Sequence, residues 1–485
     1  MRGAYALTVL VLILLASPAL GREDREAKAA WNAARADLLR AMKAGDVDAR
    51  RRAAEAVAKL GTPEAAALIV DSVFPAEHAG SVLDAAVSHL ARHLTAEGFE
   101  WLMDRARKGR DKWHVRTLVL EVLAERSEPG PAYDVFLGML KEDDPRIRAS
   151  ALHGLSRCRR PEALAAILPH LEATEWQVRV AAIEALAELG DEKAIVPLIR
   201  LLEVETGRLR GDVADALKRL TKKDFGIDAD LWGSWLKAKQ DGLEEEPAKK
   251  AEDGTASKVE VPTYYGIKIL SDRMVFVIDV SLSMNDPIEI DRRKLLSETR
   301  TLRPDEEDER RGPRLEDQID WFKIKTRLDL AKAQLIFALG QLEGRHAFNV
   351  VFFSEYAEPW QERLVKATVR NRVKAAAYVE ALGVNAEIRG GTNAWAALES
   401  ALALGGRDPD KRYAEGIDTI FFLSDGAPSV GAYVDPDEIL TQIRRLNATR
   451  KIKIHVIAIA NFDIAFLRSL AHQNGGIYKS FKKEG

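Results

Sequence analysis

Apolar residues recur at the three- and four-residue spacing of an amphipathic helix through most of residues 23–225. Within this region one helical pattern repeats at a nearly fixed interval. The first residues of six similar segments are Ala49, Val82, Val115, Ile147, Val178 and Leu209, which lie 33, 33, 32, 31 and 31 residues apart. This interval leaves room for two helices in each unit, with one apolar face per helix. A repeat of this length predicts an α-solenoid, in which each helix pair packs on its neighbours.

An arginine follows the first residue in the last four of these segments. The apolar–Arg pair and the repeat length resemble HEAT repeats. The resemblance implies an all-α solenoid over residues 22–240, with an extended surface that can bind a protein partner. We expect the arginines to cap or bridge adjacent repeats, and partner binding is the alternative role. They are Arg116, Arg148, Arg179 and Arg210.

The helical periodicity ends at residues 241–260, where charged and small residues dominate. A segment of this composition is typical of a flexible linker. The sequence therefore predicts two domains, residues 22–240 and residues 261–485, which we expect to fold separately.

Strands alternate with helices beyond residue 261. Strands are predicted near 274–280, 347–354, 418–424, 452–460 and 476–481, with a shorter edge strand near 363–365. Helices are predicted near 326–343, 369–382, 393–404, 436–448 and 462–473. This alternation indicates an α/β domain built on a doubly wound, mostly parallel sheet. The chain as a whole is therefore multidomain, all-α first and α/β second.

Oxygen-bearing side chains follow two of the predicted strands and one glycine turn. They are Asp279, Ser281, Ser283, Thr392 and Asp425. Because open α/β sheets bind ligands at the carboxyl ends of their strands, we expect these side chains to meet at one edge of the sheet. Hydroxyl and carboxylate oxygens are hard ligands that suit Mg²⁺ or a similar cation.

The order Asp-x-Ser-x-Ser, then a distant Thr, then a distant Asp resembles the metal-ion-dependent adhesion site of the von Willebrand factor A (VWA) family. The resemblance covers about residues 264–481 and implies a Rossmann-like fold. It also implies that Ser281, Ser283 and Thr392 contact a divalent cation directly or nearly so, while the two aspartates complete or support the site. The implied cation is Mg²⁺, with Mn²⁺ or Ca²⁺ as alternatives, and its open position would take an Asp or Glu carboxylate of a protein partner.

Two features depart from the family pattern. Leu282 stands between the two serines, where the family often has Gly. An insertion at 285–325, rich in charges of both signs, separates the first strand from its helix. We expect this insertion to be a solvated loop, and a lid over the site is the alternative.

The same residues argue against the enzymes that also place an Asp after a buried strand. Phosphatases that form an aspartyl phosphate need a second Asp two residues after the first, and Ser281 stands there. The chain also lacks the Gly-x-Ser-x-Gly turn of α/β-hydrolases. We therefore expect an interaction or scaffold protein and not an enzyme. The alternatives are a metal-dependent, phosphatase-like hydrolase and a structural VWA protein that needs no metal. At the site itself, the alternative is that the five side chains bind no metal and that their oxygens only hydrogen-bond the loops.

Residues 1–21 predict export. Arg2 precedes the apolar run Ala4–Ala16, and small residues at Ala19 and Gly21 provide a cleavage site. We expect a periplasmic, cell-envelope or secreted protein with no membrane span after cleavage, and an uncleaved anchor is the alternative. The net charge of −3 gives no sign of nucleic-acid binding. The single cysteine, Cys158, excludes an internal disulfide.

Overall fold

The computed structural model describes residues 17–126, 128–242, 261–288, 322–383, 390–404, 416–459 and 464–481. Most of the predicted linker and of the predicted insertion lie outside these ranges, as do residues 1–16 of the predicted signal peptide. The chain divides into two compact units, Met1–Ala163 and Leu164–Gly485. In the described part of the chain, no helix combines the length and apolar character needed to cross a membrane.

The first unit is all-α. Its helices are α1 (Ser17–Ala41), α2 (Val47–Ala58), α3 (Pro63–Leu68), α4 (Gly80–His93), α5 (Ala96–Lys108), α6 (Trp113–Glu125), α7 (Tyr133–Met139) and α8 (Pro145–Arg157). Local sequence sets several of the ends. Thr62 and Thr95 accept hydrogen bonds from backbone N–H groups at the starts of α3 and α5. Gly109, in the left-handed conformation, ends α5.

The repeated arginines bridge neighbouring segments, as predicted. In the first unit Nη2 of Arg116 donates to Oε1 of Glu142 over 2.7 Å. Nη1 of Arg148 donates to the backbone oxygens of Glu142 and Asp143, each over 2.8 Å. Both arginines therefore tie a helix to the loop that follows α7, which fixes the spacing between successive helix pairs.

Gly154 marks a close approach between α8 and α7. A Cβ atom at Gly154 would lie 2.2 Å from Cε1 of Phe136, whose ring is fully buried. We expect Gly154→Ala to lower the free energy of unfolding by roughly 1–3 kcal/mol, because a tightly packed ring would have to move. Gly138, on α7, is the control, since its Cβ would meet no atom within 4 Å.

Gly138→Ala should leave the free energy of unfolding unchanged or raise it by up to about 1 kcal/mol, through helix propensity alone. Urea unfolding followed by circular dichroism compares the two variants. Equal effects of the two substitutions would show that the Gly154 contact is not tight.

The second unit contains the remaining repeat helices, α9 (Ala163–Ile167), α10 (Trp176–Leu189), α11 (Ile195–Val204), α12 (Arg208–Thr221) and α13 (Ala229–Gln240). It begins at the second residue of α9. The arginine pattern continues here. Nη1 of Arg179 lies 2.8 Å from Oε1 of Glu205, and Nη2 of Arg210 donates to the backbone oxygen of Ile227 over 2.8 Å. The predicted capping or bridging role is thus confirmed in both units.

A sheet domain completes the second unit. Its strands are β1 (Thr263–Tyr264), β2 (Ile267–Lys268), β3 (Arg273–Asp279), β4 (Ala347–Phe353), β5 (Ala357–Pro359), β6 (Val365–Lys366), β7 (Thr419–Ser424), β8 (Lys453–Ala458) and β9 (Tyr478–Ser480). Its helices are α14 (Arg327–Gln341), α15 (Val369–Ala381), α16 (Ala394–Ala403), α17 (Pro436–Asn447) and α18 (Ile464–Gln473). β1 and β2 pair with each other as a separate two-stranded sheet.

The main sheet has the order β5-β4-β3-β7-β8-β9, and β6 also pairs with β4. β4, β3, β7, β8 and β9 are parallel, while β5 and β6 run antiparallel to β4. This is the predicted doubly wound, mostly parallel sheet.

The sheet is buried on both faces, which explains its uninterrupted apolar strands. Along β3, Met274, Phe276 and Ile278 belong to the core on one face. Val275 and Val277 belong to the core on the other face. Because side chains alternate between faces, a strand covered on both sides needs an apolar residue at every position.

Helix α12 packs against the amino-terminal edge of this sheet. Nη1 of Arg208 donates to the backbone oxygen of Asp418 over 2.8 Å. Nζ of Lys453, the first residue of β8, lies 2.9 Å from Oδ1 of Asp212. All four residues are at least nine-tenths buried. The last repeat helices and the sheet therefore share an interface that contains paired charges.

Two glycines allow this close approach. Gly207 has φ +63°, and a Cβ there would lie 3.0 Å from Oδ2 of Asp272. A Cβ at Gly211 would lie 3.0 Å from Cδ1 of Leu270. Separate folding of residues 22–240 and 261–485 stays a prediction, and these contacts are the ones that such fragments would lose.

Candidate functional site

The carboxyl ends of β3 and β7 lie side by side, because the two strands are parallel neighbours. β3 ends at Asp279, and a short 3₁₀ turn, Leu282–Asn285, follows it. β7 ends at Ser424, so Asp425 is the first residue beyond that strand. Oγ of Ser283 donates a hydrogen bond to Oδ1 of Asp425 over 2.8 Å. The structure thus joins the two loops from which four of the five predicted site residues come.

Asp279 is fully buried at the centre of this edge. Its Oδ1 accepts from the backbone N–H of Ser281 over 2.9 Å, and its Oδ2 accepts from Oγ of Ser424 over 2.7 Å. Burial, followed by the nearby charge of Asp425, raises the pKa of Asp279 to about 6, although these hydrogen bonds act in the opposite direction. A cation beside the two carboxylates would favour their charged forms.

The two serine hydroxyls face each other. Oγ of Ser281 and Oγ of Ser283 are 3.2 Å apart, and Ser281 is buried. Neighbouring ligands of an octahedral Mg²⁺ ion are separated by roughly 3.0 Å, because its bonds to oxygen are about 2.1 Å long. The two hydroxyls are therefore spaced as two adjacent ligands would be. Leu282, between them, is 46% exposed at the rim.

Thr392 reaches the same edge from the loop before α16. Its backbone N–H donates to Oγ of Ser429 over 2.9 Å, and its backbone oxygen accepts from the N–H of Ser429 over 3.0 Å. A Cβ at Gly426 would lie 3.7 Å from Oγ1 of Thr392. The hydroxyl therefore lies beside the turn that begins at Asp425. The glycine at 391 is required here, because a Cβ there would lie 2.6 Å from Cγ2 of Val430.

Arg327 contacts the site, and the sequence analysis did not identify it. Its Nη1 donates to Oδ2 of Asp425 over 2.7 Å and to the backbone oxygen of Ser283 over 3.2 Å. Arg327 is the first residue of α14, whose start is fixed by a capping box between Thr326 and Asp329. The one available signal was a basic residue at the start of the helix that follows the first loop.

The donor set consists of oxygen atoms only, from two carboxylates and three hydroxyls. Such a set fits a hard cation such as Mg²⁺, whereas soft metals prefer sulfur and imidazole. Among the residues that the structure describes, no group of three or more His, Cys, Asp or Glu side chains is placed to hold a metal ion.

Three family models match the chain. "HEAT repeats" matches residues 133–218, "PBS lyase HEAT-like repeat" matches residues 49–73, and "von Willebrand factor type A domain" matches residues 323–480. The last match begins after the Asp-x-Ser-x-Ser segment.

Human inter-alpha-trypsin inhibitor heavy chain H4 is 32% identical over 162 residues, which are 33% of this chain and 17% of that protein. Human inter-alpha-trypsin inhibitor heavy chain H6 is 27% identical over 157 residues, or 31% of this chain and 12% of that protein. The chain thus spans less than a fifth of either relative. Among solved structures, a von Willebrand factor type A protein from Catenulispora acidiphila is similar at 18% identity, with a TM-score of 0.29, over 44% of this chain and 40% of that one.

Proposed function

Because the chain carries HEAT-like repeats followed by a von Willebrand factor type A domain, we propose that it binds a protein partner through a divalent cation. The cation would be held at the carboxyl edge of the sheet by Asp279, Ser281, Ser283, Thr392 and Asp425. The observation that supports this proposal is the Ser283–Asp425 hydrogen bond, which joins the loops after β3 and β7.

The charge of the donor set indicates the chemistry of the partner. Two carboxylates neutralise one divalent cation, and three neutral hydroxyls add no further negative charge. A cation held this way remains able to attract an external anion. An Asp or Glu side chain is the natural protein ligand, because its oxygens are hard donors. Mg²⁺ is the proposed cation, with Mn²⁺ or Ca²⁺ as substitutes, and we propose no catalytic role.

The repeats would supply a second binding surface. Paired helices that stack on their neighbours present an extended face, which suits protein partners. With binding surfaces on both parts, the chain would act as a scaffold that joins two partners.

Selection of displayed peptides on the full chain tests the proposed function. Peptides recovered in millimolar Mg²⁺ should carry an Asp or Glu, and changing that residue to Asn or Gln should abolish binding. A chelator should release them, and the Asp279→Asn variant should recover none. Peptides that bind equally in chelator, or that do not depend on an acidic residue, would contradict the proposal.

We also propose that the protein is exported, from the pattern of residues 1–21. The expected result is a mature chain that begins near Arg22 when the protein is isolated from its own host. Amino-terminal sequencing of that material measures the cleavage point directly. Cytosolic material that retains Met1 would contradict export.

A further inference from the structure

Arg327 pairs with a carboxylate that the proposed cation would also need. Asp425 has no exposed side-chain surface, and the side chain of Arg327 is 14% exposed, so the pair is largely shielded from water. The guanidinium contacts Oδ2 of Asp425 over 2.7 Å, while Oδ1 already accepts from Ser283 over 2.8 Å. Both oxygens of this carboxylate are therefore engaged by groups of the chain itself.

A second carboxylate lies within reach of the same guanidinium. Nη1 of Arg327 is 3.2 Å from Oδ2 of Asp286, whose side chain is 56% exposed. The backbone N–H of Arg327 is bonded to the backbone oxygen of Asp286 over 3.1 Å, which keeps the two residues together. The same guanidinium nitrogen therefore contacts a buried and an exposed carboxylate at once, so Arg327 keeps Asp286 as a partner if its contact with Asp425 is lost.

We propose that Arg327 is a counter-ion of Asp425 that weakens binding of the divalent cation, and that it releases Asp425 and keeps only Asp286 as its partner when the cation binds. The inference rests on the proposed function, since it assumes that the cation binds at this edge. It deepens that function, because a weakly held cation beside a positive side chain stays electrophilic and favours an anionic partner. Arg327 would thus set the affinity of the site through its charge.

The opposite role, a brace that orients Asp425 for the metal, is less well supported by the geometry. Hydrogen bonds to a ligating carboxylate commonly strengthen metal binding. Here Ser283 already orients the carboxylate through Oδ1. A positive guanidinium within roughly 6 Å of a divalent cation repels it strongly in a site with little water. Repulsion should therefore outweigh any gain from orientation.

Titration calorimetry of the full chain with Mn²⁺ and Mg²⁺ tests the inference. Arg327→Gln should bind the cation roughly tenfold or more tightly than the unaltered protein, because one positive charge is removed. Arg327→Lys, which keeps the charge, should bind with nearly unaltered affinity. The matched control is Arg345→Gln, which removes one charge from an exposed pair with Asp272 at the other edge of the sheet. This control should leave the affinity unchanged.

A second variant keeps the inference testable if Arg327→Gln does not fold. Asp286→Asn alters an exposed side chain and should bind the cation more weakly, because Arg327 loses its alternative partner. An affinity of Arg327→Gln that is equal to or weaker than that of the unaltered protein would overturn the inference, as would an unchanged affinity of Asp286→Asn. Failure of the proposed function looks different, since no variant would then give saturable binding. The double variant Arg327→Gln with Asp279→Asn should lose the tighter binding. This loss would show that the tighter binding of Arg327→Gln occurs at the site that contains Asp279.

Discussion

Replacing Asp212 by Ala is expected to lower the free energy of unfolding of the second unit by about 3–5 kcal/mol. The carboxylate lies between two buried cations, with Oδ2 3.1 Å from Nε of Arg208 and Oδ1 2.9 Å from Nζ of Lys453. Burial opposes its ionisation, yet the charges of Arg208 and Lys453 hold the pKa of Asp212 below its usual value. Its removal would leave two buried positive charges without their shared partner.

Asp215 is the matched control for this prediction. Its carboxylate also lies 3.0 Å from Nζ of Lys453, but it is 66% exposed. Because water screens exposed ion pairs, Asp215→Ala should cost only about 0–1 kcal/mol. The double variant Asp212→Ala with Lys453→Met should recover part of the lost stability, since one unpaired charge is removed. Denaturant unfolding of the full chain compares the variants. Equal losses for Asp212→Ala and Asp215→Ala would contradict the account of this interface.

The second large effect is expected when Asp279 is replaced by Asn, which should remove the stabilisation that a bound cation provides. If Mg²⁺ binds the folded chain and not the unfolded chain, the free energy of unfolding should rise by about 2.7 kcal/mol when free Mg²⁺ reaches 100 times Kd. Asp279→Asn should remove this rise, because a neutral amide of the same size is a much weaker ligand. In chelator the variant should be about as stable as the unaltered chain, since burial already disfavours the charge of Asp279.

Asp272→Asn controls for the loss of one carboxylate. Asp272 lies just before β3, at the other end of the strand that leads to Asp279, and its side chain is 39% exposed. This variant should keep the full response to Mg²⁺. Melting temperatures with Mg²⁺ and with chelator give the comparison. A response that survives Asp279→Asn would place the cation elsewhere.

Periodicity and apolar runs predicted most of the fold, since burial on one or two faces leaves a direct mark on the sequence. The run Met274–Ile278 predicted β3 for this reason. β5, Ala357–Pro359, was not predicted because its residues are mixed in character and its hydrogen bonds come from pairing with the edge of β4. Short edge strands depend on their neighbour more than on their own residues.

The five site residues could be proposed from sequence because parallel strands bring their carboxyl ends together. Arg327 could not, since its position depends on where α14 starts after the predicted insertion. The interface between α12 and the amino-terminal edge of the main sheet was also not predicted from the sequence. Arg208 and Asp212 are charged residues on a helix, and from sequence alone such residues predict a solvent-exposed helix face. Their burial depends on the charge of Lys453, 241 residues beyond Asp212. Pairing over that distance leaves no local pattern.

We propose that Asp279, Ser281, Ser283, Thr392 and Asp425 together hold one divalent cation. Isothermal titration of the full chain with Mg²⁺, and with Mn²⁺ as a substitute, measures this most directly. We predict saturable heat with one site per chain for the unaltered protein and for Asp272→Asn, and none for Asp279→Asn. No saturable heat from the unaltered protein with Mg²⁺, Mn²⁺ or Ca²⁺ would contradict the claim.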